Sequence, residues 1–247
     1  MTLFDPRRSL LAAAFMLGAA GGVHAQTAPP PAETPAIYEI VDAVSAERLE
    51  ADLRTLTGFG TRHTASETES DTRGIGAARR WVYEEFERIS AQCGGCLEVR
   101  YVSRVIGGER RLPDPVDVVS VVAIQRGALD PERTAMIIAH LDSRASDVMD
   151  AQIEAPGAND DGSGVVGAIE AARVLSQHEF AGTIVYAALA GEEQGLYGAE
   201  IVAQYAQDQG WRVKAVLNND MIGNIAGIDG VIDNSTVRVF SEGTRAV

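Results

Sequence analysis

The chain has 247 residues, 46% of them hydrophobic, enough to bury one substantial core. Its formal net charge of −14 disfavours long-range attraction to nucleic acid and to anionic membrane surfaces. No segment is long and apolar enough to be expected to span a bilayer.

In residues 1–25, MTLFDPRRSLLAAAFMLGAAGGVHA, the basic pair Arg7 and Arg8 precedes an apolar stretch from Leu10, and Val23 and Ala25 suit a cut after Ala25. The stretch reads as a secretory signal, so a secreted or periplasmic protein is expected. A short membrane anchor is the weaker reading, because the following QTAPPPAETP resembles a flexible exported linker, assigned here to residues 26–37. One domain is expected from residue 38 to residue 247.

SAERLEADLRTLTGFG (45–60) has apolar residues at helical spacing, a Ser start and a Gly stop, and predicts a helix. Arg62 and His63 follow in FGTRHT and read as loop residues, although Arg62 is a candidate for the edge of a cleft. A second helix is predicted from Thr68 to Ser90, with Ile75, Trp81, Val82, Phe86 and Ile89 on one face. The only two cysteines, Cys93 and Cys96, form CGGC; a local disulfide suits an exported chain, and a redox motif or free thiols are the alternatives. LEVRYVSRVI and VDVVSVVAI predict a β-hairpin.

From TAMIIAH onward the pattern becomes strand, long polar loop, helix from Ser163 to about Ser176, strand TIVYAALA, helix from about Leu196 to Gln207, and strand VKAVLNN. That alternation predicts an α/β fold, a mostly parallel mixed sheet flanked by helices. TVRVF, near the end, also looks like a strand. There is no internal repeat.

Each of the three later strands delivers ionisable groups at its carboxyl end: His140 and Asp142, then the adjacent Glu192 and Glu193, then Asp220. The loop GANDDGSG adds Asp160 and Asp161 before a helix N-terminus, where the dipole favours anions. In open α/β sheets that edge is where ligands bind. A solvated acidic rim is the commoner fate of such residues. Against it, these carboxylates follow apolar strands and have an imidazole among them, a donor set suited to zinc. If the strand continues through Asp142, its carboxylate can hydrogen-bond the second ring nitrogen of His140; a core histidine beside a chance acid is the alternative.

AHLDS, APGANDDGSG, AGEEQGLYG and NNDMIG, in this order and spacing, resemble the secreted zinc aminopeptidases, the group that includes aminopeptidase Y and bacterial leucyl aminopeptidases and is related to glutamate carboxypeptidase. The resemblance covers roughly residues 45–225. It implies a zinc-peptidase (phosphorylase/hydrolase-like) architecture, peptide substrates and two Zn2+ ions bridged by Asp160. His140 and Asp220 would complete one site and Glu193 would ligate the other ion. Glu192 would be the general base for the attacking water, and Asp142 the partner of His140.

The resemblance also calls for a histidine well after Asp220, whereas none follows His178, which reads as a surface residue. A chain truncated at its C-terminus is therefore expected. A single-zinc glutaminyl cyclase-like enzyme and a non-catalytic binding domain of the same fold are the alternative functions.

Overall fold

The computed structural model describes residues 35–241, so the expected leader and residues 26–34 of the expected linker lie outside the described residues. Helix α1, Pro35–Asp42, starts inside the stretch assigned to the linker, which corrects that boundary. Pro35 occupies the first position, where a helix needs no N–H and a fixed φ helps.

Helix α2, Ala46–Thr57, forms where its apolar spacing and caps predict. Ser45 Oγ accepts the Arg48 amide at 3.2 Å, and the Gly58 amide closes the other end on the carbonyls of Arg54 and Thr55. Leu49, Leu53 and Leu56 turn inward.

Helix α3 spans Gly74–Gln92 and not Thr68–Ser90. Its expected first turn is lost to local side-chain bonds: the Glu67 carboxylate accepts the amides of Glu69 (2.6 Å) and Ser70 (3.3 Å). Ser66 Oγ instead accepts the Ile75 amide (2.9 Å) at the true start. Cys93 and Cys96 are disulfide-bonded in the turn that leaves α3.

Five strands follow or interleave: β1 (Leu97–Ile106), β2 (Val116–Gln125), β3 (Asp130–His140), β4 (Gly182–Leu189) and β5 (Arg212–Asn218). They form one mixed sheet in the order β1-β2-β4-β3-β5. The predicted hairpin is β1–β2; β2 pairs antiparallel with β4, and β3 pairs parallel with both β4 and β5. The three strands that carry the candidate site residues are thus the parallel ones.

Period-two alternation sends β4 side chains to two cores. Tyr186 and Ala188 pack with Val82, Phe86 and Ile89 of α3 and with Ile169 of α4 (Ser163–Leu175). Val185, Ala187 and Leu189 pack on the other face with Ile201, Val202 and Ala206. Those three belong to α6 (Tyr197–Asp208), which follows the short helix α5 (Glu192–Gly195). Helices therefore cover both faces of the sheet centre.

Strand β5 is exposed along its whole length, as are nearly all the described residues that follow it. Beside it, an apolar groove of about 460 Å³ runs between Met136, Ile138, Val202, Trp211 and Val216, and none of the candidate site residues lines it. TVRVF forms no strand: no neighbour among the described residues pairs with it, and Val237, Val239 and Phe240 are exposed.

Candidate metal centre

Register aligns the strand ends. His140 lies opposite Leu189 of β4, and Ile138 lies opposite Asn218 of β5. The Asn219 amide continues that pairing to the Ile138 carbonyl at 2.9 Å, so Asp220 emerges level with His140. Between them the 158–162 loop, a single wide turn entering α4, brings up Asp160. His140 Nε2 is 3.1 Å from Asp160 Oδ1 and 4.0 Å from Asp220 Oδ1. Ligand atoms of these three residues all lie within 4.8 Å of one another, forming the one such group among the described residues.

The tautomer follows from the other ring nitrogen. His140 Nδ1 lies 3.0 Å from the backbone carbonyl of Asp142, so Nδ1–H donates there and Nε2 faces the carboxylates. A cation between them would be held by all three residues at once. One imidazole and two carboxylates leave a fourth position open, as in catalytic zinc sites, and the residues present fit the ion.

Asp142 is fully buried, but its carboxylate does another job from the one expected. It stays 3.8 Å from His140 Nδ1, because β3 ends at His140 and the main-chain carbonyl takes the ring proton instead. The carboxylate accepts the amides of Glu192 (3.2 Å) and Glu193 (3.0 Å), and so holds the first turn of α5. Glu192 is thereby fixed at the rim. Burial raises its carboxyl pKa, and Asp142, Asp220 and Asp160 add to the rise against the opposing effect of His140. For His140 burial opposes protonation, but Asp142, Asp161, Glu192 and Asp160 outweigh it and raise the pKa.

Glu193 is not part of the three-residue group; its Oε2 is 2.7 Å from Arg144 Nε. Burial and Asp160 raise its carboxyl pKa while Arg144 opposes them. Arg144 also borders a cleft of about 450 Å³ lined by Asp147, Ile153, Pro156 and Gly157, a volume in the range of small-ligand sites.

Two buried groups gain roles that their sequence context did not assign. Asp161 accepts the amides of His140 (3.0 Å), Gly164 (3.0 Å) and Met221 (3.3 Å), tying the ends of β3, α4 and β5 together. Burial pushes its carboxyl up to about 7 against the pull of His140 and its amide bonds. Arg62, expected in an ordinary loop, is fully buried, and burial lowers its pKa to about 10, opposed by Asp142, Asp161 and Asp160. A doublet of aspartates hinted at the first; nothing in a lone loop arginine signals the second. His63 is also buried, its Nε2 3.1 Å from the Gln194 side-chain amide. His178 lies between α4 and β4, away from the donor group.

A mixed α/β sheet with a His–Asp–Asp group at the carboxyl edge of its parallel strands defines an α/β metalloprotein domain. Residues 120–236 match the family model described as Peptidase family M28, and the chain carries a domain of that family. A protein of Pyricularia oryzae named "Probable zinc metalloprotease" is 47% identical over 200 residues, covering 81% of this chain and 40% of that protein. LapB from Legionella pneumophila superposes with a TM-score of 0.61 at 25% identity, over 78% of this chain and 48% of LapB. Porphyromonas gingivalis glutaminyl cyclase shares the fold (TM-score 0.56, 21% identity, 74% and 61% coverage). The chain spans about half the length of the curated relatives it matches, 40–49% for four of them.

Proposed function

We propose that the chain is the metal-binding part of an exported zinc exopeptidase that removes residues from peptide N-termini. The observation that carries the reading is the convergence of His140, Asp160 and Asp220, with Glu192 fixed beside them. Zinc held by the three would supply Lewis-acid polarisation of a peptide carbonyl and of water. Glu192, its carboxyl pKa raised by burial, is suited to take a proton from the attacking water and return it to the leaving amine. Asp142 holds the Glu192 backbone in place for that transfer, and the cleft beside Arg144 is a place for peptide side chains. Asp160 and Glu193 are the expected ligands of a second zinc, which in this reading belongs to the whole protein. Export is supported by the leader-like residues 1–25 and fits the Cys93–Cys96 disulfide.

The test is hydrolysis of aminoacyl anilides by the zinc-loaded protein, with chelator and with zinc restored. Chelator-sensitive release of the aniline, recovered on adding zinc, is expected; no release, or release indifferent to chelator, overturns the reading. One donor group among the described residues also suits a one-zinc glutaminyl cyclase. Product mass separates the two, since cyclisation of an N-terminal glutamine loses ammonia and hydrolysis adds water.

A further inference from the structure

We propose that Arg62 is a positioning residue whose guanidinium aims the loops carrying Asp142 and Asp160 at the metal centre. The inference rests on the zinc reading of that centre. Arg62 is the largest fully buried side chain among the described residues. Its Nε donates to the Leu141 carbonyl (2.8 Å), Nη1 to Pro156 (2.5 Å) and Nη2 to Gly157 (3.0 Å). Among the described residues no carboxylate oxygen lies within ion-pair distance of the guanidinium, whose hydrogen bonds all go to backbone carbonyls.

The acceptors matter because of where they stand in the chain. Leu141 sits between His140 and Asp142, and Pro156 and Gly157 lead into the loop of Asp160. A planar fork of N–H groups bonded to both segments fixes their separation and relative tilt, as a single flexible ammonium cannot. The backbone repeats the junction: the Arg62 amide donates to Ser143 Oγ (3.1 Å), whose hydroxyl donates to the Ala155 carbonyl (2.6 Å). The Ala155 amide in turn reaches the Gly60 carbonyl (2.9 Å). Residues 60–62 thus form a wedge between the two segments.

A buried arginine near aspartates could instead serve by charge alone, and the two roles predict opposite things. Beside a zinc ion the guanidinium charge repels, so removing it without disturbing the geometry would strengthen zinc binding. Losing the fork would weaken it.

Zn2+ alone is titrated calorimetrically into the full chain and its Arg62→Lys, Arg62→Met and Ser143→Ala variants, with Val82→Ala as a core variant that takes no part in the junction's hydrogen bonds. Expected are a drop in zinc affinity of about tenfold or more for both Arg62 variants, the usual consequence of losing a group that orients ligands, and a smaller drop for Ser143→Ala. Val82→Ala should lower the melting temperature with zinc affinity unchanged. Wild-type affinity in Arg62→Lys, which keeps the charge and loses the fork, overturns the proposal, as does tighter binding by Arg62→Met. An equal affinity loss in Val82→Ala overturns it by assigning the effect to global stability. If the Arg62 variants do not fold, Ser143→Ala decides, and unchanged affinity there overturns the proposal. Absence of zinc binding by the wild-type chain defeats the zinc reading itself, a distinguishable failure.

Discussion

Asp142 Oδ2 accepts the Glu193 amide at 3.0 Å while Oδ1 accepts the Glu192 amide at 3.2 Å. One buried carboxylate thus satisfies the two leading donors of α5, which have no intrahelical partner. It also connects the end of β3 to the turn after β4.

Asp142→Asn would turn an NH2 group towards one of those amides and leave buried donors facing each other. A loss of about 1–3 kcal/mol is expected, the cost of an unsatisfied buried polar group. Urea unfolding measures it, and a midpoint equal to that of the wild type would count against the assigned role.

Glu192→Gln keeps shape and removes the base. Turnover should fall about 10²–10⁴-fold, the usual contribution of a general base, with zinc content unchanged. Anilide kinetics beside metal analysis of the same sample would show it; retained turnover would remove Glu192 from the mechanism.

Gly164 stands where α4 passes β5. A Cβ there would overlap the carbonyl oxygen of Asn219 and press to 2.6 Å from Asp161 Oδ1. Gly164→Ala should cost about 1–3 kcal/mol by overpacking and, by displacing the residue before Asp220, weaken zinc binding. Denaturant unfolding and zinc titration together check both effects.

Arg48 and Arg173 bracket Glu170 between α2 and α4, and Glu170 also accepts the Ser45 amide at 2.8 Å. Burial alone would raise the Glu170 carboxyl, but Arg48, the Ser45 amide and Arg173 hold it below its ordinary 4.5. Its stabilising contribution is therefore present above about pH 4.5 and is lost as the pH falls through the lower folded value. Asp52 in the same network has a raised pKa, chiefly through burial, and contributes with the opposite sign. Glu170→Gln should lose about 2 kcal/mol at neutral pH, discounted for the exposure of Arg48, and should show a shallower acid limb. Melting temperatures from pH 3 to 7 for both proteins, a range about the carboxylate values, test it; parallel curves would refute the linkage.

The disulfide, the hairpin and the order of alternating elements were legible because each depends on local pattern: CGGC proximity, period-two strands, apolar helical spacing with Ser45 and Gly58 as caps. The start of α3 was not, since apolar spacing gives no weight to the Glu67 carboxylate that captures the amides of Glu69 and Ser70. His140, Asp160 and Asp220 were legible as a set, because parallel strands deliver their carboxyl ends to one edge. Their division of labour was not.

From the chain order alone came the expectation that His140, Asp160 and Asp220 gather at one sheet edge, because alternating strands and helices favour parallel strands whose carboxyl ends lie together. Only the tertiary structure decided which atoms do what. The Asp142 carbonyl, not its carboxylate, takes the His140 ring proton, Arg144 pairs with Glu193, and Arg62 is buried under the site. The physical reason is that such contacts join residues as far apart as Arg62 and Gly157, whose encounter depends on how loops pack and has no periodic signature.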